Sequence, residues 1–278
     1  VVPIGFNMAL NNAKGDIIIR LDGHAKIGDN FISNSIRILE ETNAECVGGP
    51  LNHIAYTNIG NNISIAQTSY FGTGGASFRT GIKKGKFVNT LAFGAYKREV
   101  FKLIGGYDEE LIRNQDEEFN YRLVQNAGKI WIDPSIQSTY YVRDSLLKLF
   151  SQYYQYGFYK VRVIQKIKSI FSFRHLVPAI FFLTLTFSII IAIFYHSYWP
   201  AGILGGLYLV TNIFFSIIEQ LKHNKSPLIL LPIIFFSIHI SYGLGFTVGF
   251  FYYLKKWGDN ILENKHFDKK AFAKNSHG

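Results

Sequence analysis

The stretch GFNMALNNAKGDIIIRLDGH, residues 5–24, contains a helical pattern, a β-branched run and a turn in direct succession. GFNMALNNAKG predicts a short helix closed by Gly15, because glycine readily takes the left-handed conformation just past a helix end. DIIIRLD then predicts a buried strand, which we expect to be parallel to its neighbours. Asp22, Gly23 and His24 follow as a turn at the carboxyl end of that strand. A helix that leads directly into a buried strand indicates an α/β domain.

The remainder of residues 1–145 continues this alternation. Asn114 is the predicted N-cap of a helix that Gly128 ends, since Glu117 stands three residues after the cap. The polar, Gly-rich residues 53–90 show little periodicity and predict a functional loop. The other predicted elements are a helix at 28–42, a strand at 46–51, a strand and helix at 91–104 stopped by Gly105 and Gly106, and a strand at 129–132. We therefore predict an α/β domain over residues 1–145.

The formal charge of +10 is confined to one half of the 278-residue chain. Residues 1–145 carry 15 Lys and Arg against 15 Asp and Glu, whereas residues 146–278 carry 14 against 4. A nucleic-acid-binding protein would show its positive charge on a polar surface. Here the charge flanks apolar segments, so we expect anionic membrane lipids as partners and no nucleic acid.

The second half of the chain is patterned for a membrane. Residues 146–175 predict an amphipathic helix in the membrane interface, because leucine and aromatic residues alternate with lysine and arginine. Three apolar segments follow, at 176–195, 200–218 and 227–254, and each is long enough to cross a hydrocarbon core of about 30 Å. We therefore predict transmembrane helices within residues 176–256.

The positive charges around these segments predict their orientation. Basic residues precede the first segment and follow the second, while the loop at 196–199 has no Lys or Arg. The α/β domain is therefore expected on the cytoplasmic side. A third full crossing would place Lys255, Lys256 and the basic tail at 257–278 on the opposite side, against the same rule. Either the third segment is re-entrant or broken, or the tail violates the charge bias.

Two sets of polar residues could carry chemistry. Asp22 and His24 stand at the predicted sheet edge where open α/β sheets bind ligands. They form either a metal site or a turn in which Asp22 caps backbone N–H groups and His24 is exposed. Asp116, Glu117 and Glu118 begin the predicted helix, where its dipole favours carboxylates. Three acids in a row exceed what capping requires, so a role in a pocket is the second option.

The order of these parts resembles a family 2 glycosyltransferase of the GT-A fold. Residues 7–22 are similar to that family's helix and strand before its DxD motif, and Asp22-Gly23-His24 occupies the DxD place. NQDEEFNYR at 114–122 resembles the family's ED-x-D-L-x-x-R stretch, and QYYQY at 152–156 stands where related enzymes carry QxxRW. More narrowly, residues 90–111 and 131–136 resemble succinoglycan-type exopolysaccharide glycosyltransferases.

The resemblance implies an α/β GT-A (Rossmann-like) catalytic domain that lacks its first strands, followed by the interfacial helix and C-terminal transmembrane helices. Asp116 would be the general base, which takes the proton of the attacking hydroxyl. Asp22 and His24 would hold a divalent cation, Mg²⁺ or Mn²⁺, because carboxylates suit both ions and Mn²⁺ also accepts imidazole. The part of the donor site that reads the nucleotide base is expected upstream of Val1.

Further residues would bind donor and acceptor. Gln115, Glu118 and Arg122 are supporting positions of the acidic motif, and Gln152, Gln155 and Tyr156 stand in the place of the motif that contacts both substrates. Gly74 and Gly75 could bring backbone N–H groups to the donor diphosphate, or they form a flexible surface turn. Arg79 is a further candidate to meet the charge of the diphosphate.

The implied function is an inverting transfer of a sugar from a nucleotide-sugar donor to a lipid-linked or polysaccharide acceptor. The process would be exopolysaccharide or capsule biosynthesis at the bacterial inner membrane, with the catalytic domain facing the cytoplasm. Gln115, Gln155 and Tyr156 replace the Glu, Arg and Trp of the family motifs, so addition of one sugar is expected rather than synthesis of a long polymer. The alternative is a catalytically inactive, membrane-bound protein that binds sugar nucleotides.

Overall fold

The computed structural model of the protein describes residues 1–23, 25–170, 172–223, 229–259 and 261–275. The helices are α1 Val2–Asn12, α2 Phe31–Thr42, α3 Asn58–Thr68, α4 Tyr70–Thr73, α5 Ser77–Thr80, α6 Arg98–Ile104, α7 Gln115–Gln125, α8 Leu146–Ile167, α9 Val177–Tyr195, α10 Trp199–His223, α11 Leu230–Tyr252 and α12 Lys269–Lys274. The strands are β1 Ile17–Ile19, β2 Ala25–Ile27, β3 Cys46–Gly48, β4 Leu51–Ile54, β5 Lys86–Val88, β6 Ala95–Lys97, β7 Ile130–Ile132 and β8 Ser138–Tyr141.

Two mixed sheets form the first half of the chain. The larger has the order β1-β6-β3-β7-β5, and the smaller has the order β2-β8-β4. β3 and β7 are parallel, and so are β4 and β8. Helices cover both faces of the larger sheet: Phe101 and Phe119 are buried in one core cluster, while Phe31 and Leu39 of α2 are buried in another. A mixed sheet between helical layers confirms the predicted α/β class.

Several local predictions were wrong. Helix α1 ends at Asn12, and Ala13 caps it in an extended conformation, so Gly15 does not provide a left-handed stop. Helix α7 ends at Gln125, and Ala127 rather than Gly128 is left-handed, with φ 61°. Strand β1 is antiparallel to β6, its neighbour among the described residues. The position of a glycine alone does not determine where a helix ends, because tertiary packing also decides which residue adopts the non-helical conformation.

The predicted loop at 53–90 contains regular structure. Helices α3, α4 and α5 and strand β5 all lie within it. Its polar residues are compatible with helices because several are buried and bonded: Asn62 Nδ2, for example, donates to the carbonyl of Asn58 at 2.8 Å. The apolar periodicity is weak because α3 packs against neighbours on several sides, so its sequence does not divide into one apolar and one polar face.

Helix α8 confirms the predicted helix but not its surroundings. Three of its basic residues are buried and paired with acids of the α/β domain. Lys160 pairs with Glu117, and Arg162 pairs with Glu110 at 2.9 Å. Lys166 pairs with Asp108 at 2.6 Å. These charges hold α8 against the domain, so they do not face lipid head groups as the amphipathic pattern suggested.

Three helices are long and apolar enough to cross a membrane: Phe173–Tyr195, Trp199–His223 and Leu230–Tyr252. The third is a single unbroken helix among the described residues, because Pro232 lies in its first turn, where no backbone bond is lost. The residues after it do not form a free tail. Phe272 of α12 is buried beside Phe101 in the main core, and Arg98 Nη2 donates to the carbonyl of Phe272 at 2.8 Å.

Candidate active site

A cavity of about 610 Å³ lies between the α/β domain and the apolar helices. Its polar end contains Asp22, just after β1, and Asp116, in the first turn of α7. Its apolar end contains Phe181 of α9 and Phe215 of α10. One continuous space therefore joins charged side chains of the soluble half to aromatic side chains of the membrane half.

Arg20 interacts with both cavity carboxylates, Asp22 and Asp116. Arg20 Nη2 lies 2.7 Å from Asp22 Oδ1, and the guanidinium sits 5.5 Å from the centre of the Tyr107 ring. Arg20 also interacts electrostatically with Asp116. Burial raises the pKa of Asp116, while Arg20 opposes that rise. A carboxylate with increased proton affinity at a cavity wall is suited to accept a proton.

The start of α7 aims Asp116 into the cavity. Asn114 precedes the helix in a left-handed conformation, φ 61°, and its Nδ2 donates to the carbonyl of Tyr156 on α8 at 2.9 Å. Asp116 Oδ1 accepts the backbone N–H of Glu117 at 3.0 Å. Asp116 therefore partly serves the capping role that its position allows, and it lines the cavity as well.

Of the predicted metal ligands, only Asp22 can be placed. It lines the cavity, whereas His24 lies outside the described residues. Among the residues that the structure describes, no group of three or more His, Cys, Asp and Glu side chains could hold a metal ion. Asp22 offers carboxylate oxygens of the kind that Mg²⁺ and Mn²⁺ prefer. The divalent cation stays a prediction.

A buried ion pair lines the cavity and was not expected from sequence. Lys160 and Glu117 are 5% and 16% exposed, and Tyr121 donates its hydroxyl to Glu117 at 2.6 Å. His175 Nε2 lies 3.4 Å from Glu117. Burial would raise the pKa of Glu117, but Lys160 and its hydrogen bonds lower it to about 2. The signal available in the sequence was Lys160 itself, which stands one helical turn after Tyr156.

Hydrogen bonds also connect three helices at the apolar end of the cavity. Nε2 of His239, on α11, bonds to the carbonyl of Phe71 at 2.9 Å, and its Nδ1 bonds to the Tyr208 hydroxyl at 2.9 Å. Because a carbonyl only accepts, the proton is assigned to Nε2, and Nδ1 accepts from Tyr208. His239 therefore ties α10 and α11 to the wall formed by α4.

Similar proteins identify the family. No protein-family model matches the chain. The chain is 33% identical over 252 residues to the dolichyl N-acetyl-alpha-D-glucosaminyl phosphate 3-beta-D-2,3-diacetamido-2,3-dideoxy-beta-D-glucuronosyltransferase of Methanococcus voltae, covering 88% of this chain and 74% of that protein. It belongs to the same glycosyltransferase family. A second relative, succinoglycan biosynthesis protein ExoA of Rhizobium meliloti (strain 1021), is 30% identical over 166 residues, or 60% of this chain and 50% of that protein. The family resemblance read from the sequence is confirmed, and the protein is a transferase.

Of the three residues of the QYYQY segment that were predicted to bind substrate, two line the cavity and one does not. Gln152 and Tyr156 line the cavity, and Gln152 Nε2 donates to the Tyr156 hydroxyl at 2.8 Å and to the Tyr140 hydroxyl at 3.0 Å. Gln155 is not part of the cavity wall; its Oε1 accepts from Arg113 Nε at 2.8 Å. Gln155 therefore positions Arg113, which does line the cavity.

The acidic motif divides between two faces of α7. Gln115 is buried and lines the cavity together with Asp116. Glu118 and Arg122 pair at 2.8 Å away from the cavity, and Arg122 also donates to the carbonyls of Ile104 and, at 2.9 Å, Gly106. This pair fixes the end of α6 to α7. The structure therefore gives Glu118 and Arg122 a positioning role beside the site.

Backbone conformation and close packing explain in large part why glycines stand at positions 74 and 75. Gly74 and Gly75 have φ values of 68° and 76°. A Cβ on Gly74 would lie 2.8 Å from the Arg174 side chain, and one on Gly75 would lie 2.5 Å from Tyr70. Gly74 N–H already donates to the carbonyl of Tyr70 at 2.8 Å. Gly74 lines the cavity and Gly75 does not, so the predicted contact with a diphosphate stays a prediction.

Arg79 lines the cavity, as the sequence prediction requires of a residue that meets substrate charge. Its Nη1 is buried and has no hydrogen-bond partner among the described residues. A buried guanidinium nitrogen without a partner is costly, which favours a ligand oxygen at this point.

Proposed function

We propose that this glycosyltransferase moves a sugar from a nucleotide-sugar donor to a lipid-linked acceptor by a single inverting displacement. The observation that carries the proposal is the one cavity that runs from Asp22 and Asp116 to the apolar helices. A soluble donor can reach its charged end, and the chain of a lipid can occupy its aromatic end. The GT-A arrangement is part of the same proposal, supported by the mixed sheet and by the position of Asp22 after β1.

The charge of the cavity favours anionic ligands. Among the described residues, its wall carries six Lys and Arg against three Asp and Glu. The basic residues are Arg20, Arg79, Arg113, Arg143, Lys160 and Arg174. Arg174, three residues before α9, lies toward the apolar helices, where the phosphate of a lipid-linked acceptor would sit. The Methanococcus voltae relative is named for a dolichyl phosphate-linked sugar, which supports this class of acceptor.

The chemical step forms one bond and breaks another. The acceptor hydroxyl oxygen attacks C1 of the donor sugar, the C1–O bond to the diphosphate breaks, and the nucleoside diphosphate leaves with the bonding electrons. Asp116 takes the hydroxyl proton, a role worth typically 10²–10⁴-fold in rate. Asp22, with His24, would hold the Mg²⁺ or Mn²⁺ that supplies Lewis-acid stabilisation of the leaving diphosphate. We place the enzyme at the bacterial inner membrane in exopolysaccharide or capsule synthesis, with its α/β domain in the cytoplasm.

The test uses full-length protein in native membranes with a panel of radiolabelled nucleotide sugars and the endogenous lipid acceptors. We expect Asp116→Asn to lose at least about 100-fold in transfer, with donor binding within about twofold of the unchanged protein. Asp144→Asn is the matched control, because Asp144 is exposed and pairs with Lys148 across one helical turn. Normal transfer by Asp116→Asn would refute the assigned base.

Two further outcomes separate the parts of the proposal. Donor binding without any transfer by the unchanged protein would favour the inactive sugar-nucleotide-binding alternative. Chelation should abolish transfer, and added Mn²⁺ or Mg²⁺ should restore it. Full activity after chelation would remove the metal from the mechanism and leave the role of Asp116 untouched.

A further inference from the structure

Both ends of α11 contact the α/β domain. At its start, Leu231 and Phe235 are buried in a cluster with Ile63 and Ala66 of α3. Just after its end, Lys256 Nζ lies 2.7 Å from Glu110 of the domain. Helix α11 has 23 residues, so its two ends are about 35 Å apart along its axis.

The turn after α11 is held firmly in place. Arg162 of α8 is 1% exposed and pairs with Glu110 and with Asp259, at 2.9 and 3.0 Å. Its Nη1 also donates to the backbone carbonyl of Asp259 at 2.8 Å. Removing one partner of such a buried network is strongly destabilising, because the remaining charge is left buried without a counter-charge. These contacts therefore hold the end of α11 firmly beside the domain.

Between its ends, α11 lies directly against α8. A Cβ on Gly245 would come within 2.0 Å of the Tyr154 carbonyl oxygen, and one on Gly249 within 2.5 Å of the Phe158 carbonyl oxygen. Small residues allow two helix backbones to approach this closely. Helix α8 is itself bound to the domain along its length, so α11 follows the surface of the domain from end to end.

A helix that crosses a bilayer has its ends on opposite sides. The α/β domain, which contains most of the acidic residues of the chain, stays on one side of the membrane and cannot reach both. We propose that α11 does not cross the membrane. It lies parallel to the membrane plane, within the leaflet next to the domain. Of the three long apolar helices that the structure describes, α9 and α10 cross the bilayer as a hairpin.

The hairpin has the shape that this arrangement needs. The hairpin contacts α11 near its domain-side end and near its middle. A Cβ on Gly243 would come within 2.4 Å of the Phe182 side chain, Asn212 Nδ2 donates to the Pro232 carbonyl at 3.0 Å, and the Tyr208 hydroxyl bonds to His239. Farther along, toward the α9–α10 turn, Phe194 of α9 and Ile203 of α10 are exposed, at 74% and 59%. The hairpin therefore projects beyond α11, with apolar side chains facing outward along its free part.

The outer face of α11 is also suited to lipid. Ile233, Phe236 and Phe251 are exposed, at 48%, 46% and 68%, although the helix is buried on its other side. Exposed apolar residues over such a length mark a membrane or protein contact. These residues are continuous with the exposed apolar face of the hairpin. We therefore assign the outer face of α11 to contact with lipid rather than with a protein.

The arrangement removes the conflict between charge and topology. Lys222 and His223 lie in the last turn of α10, and Lys255 and Lys256 follow α11. With α11 in the membrane plane, all four lie on the side of the α/β domain, as the positive-inside rule requires. The α9–α10 turn, which has no Lys or Arg, is left as the segment on the opposite side.

The test labels single cysteines with a membrane-impermeant maleimide, in full-length protein carrying Cys46→Ser. The three labelling positions are exposed: Glu40 in the domain, Tyr198 in the hairpin turn and Lys265 after α11. We expect Lys265→Cys to be labelled from the same side of the membrane as Glu40→Cys, and Tyr198→Cys from the other side. Labelling of Lys265→Cys together with Tyr198→Cys would overturn the proposal, whether or not the protein transfers sugar.

A depth measurement gives a second readout. Nitroxide labels at Ile233 and Phe251 are 18 residues apart, which is about 27 Å along a helix. We expect nearly equal immersion depths for the two labels in lipid vesicles. Depths that differ by about 27 Å would show that α11 crosses the bilayer and would refute the in-plane placement.

Discussion

Replacing Lys160 with methionine tests the buried ion pair that lines the cavity. Lys160 and Glu117 are 5% and 16% exposed, and Tyr121 also bonds to Glu117. Methionine keeps most of the apolar length of lysine and removes its charge. Glu117 would then remain in a buried position with one hydroxyl partner and a neighbouring His175 in place of a cation.

The pKa of Glu117 gives the magnitude. Lys160 and the hydrogen bonds lower this pKa from 4.5 to about 2, against the opposing effect of burial. For Glu117 alone, this difference corresponds to about 3 kcal/mol. Burial lowers the pKa of Lys160, so the cost of burying the cation offsets part of that gain for the pair. Since the folded pKa is lowered, the contribution is complete above pH 4.5 and is lost as the pH falls toward about 2. At pH 7 we therefore expect Lys160→Met to lose about 3 kcal/mol in the free energy of unfolding.

The assay is denaturant unfolding in detergent micelles, followed by tryptophan fluorescence. Lys148→Met is the matched control, because Lys148 and Asp144 are 61% and 59% exposed. An exposed pair of this kind contributes little to stability, because solvent screens the two charges. Adding Glu117→Gln to Lys160→Met should recover part of the loss, since no buried charge then stays unpaired. Equal effects of Lys160→Met and Lys148→Met at pH 7 would refute the reasoning.

Two other substitutions have defined outcomes. Arg20→Gln should raise the pKa of Asp116 further, because Arg20 opposes the effect of burial, and the acidic limb of the pH–rate profile should move to higher pH. Arg37→Gln, in an exposed ion pair, should leave the profile unchanged. Gly245→Ala should lose about 1–3 kcal/mol of stability, since its Cβ would lie 2.0 Å from a backbone oxygen of α8. Gly206→Ala has open space around it and should be neutral or slightly stabilising.

Each of these has an outcome that would contradict it. An unchanged acidic limb in Arg20→Gln would mean that Asp116 does not set the lower limit of the pH profile. Equal melting temperatures for the two Gly→Ala variants in micelles would mean that α8 and α11 are not in close contact.

The sequence alone determined the features that depend on neighbouring residues. The length and apolarity of α9 and α10, the amphipathic α8 and the start of α7 at Gln115 were all predicted, because side-chain pattern and helix period are local properties. The same patterns predicted Asp116 at the start of a helix, and the structure places it in the cavity. Motif order then gave the family, which the relatives confirm.

The tertiary structure decided what depends on distant pairs of residues. Arg20 between Asp22 and Asp116, and Lys160 beside Glu117, arise from contacts that no spacing in the sequence encodes. Helix α11 is the clearest case. Its composition fits a span and an in-plane helix equally well, because both bury an apolar helix in lipid. Only its contacts at both ends with one domain separate the two, since the ends of a spanning helix lie on opposite sides of the bilayer.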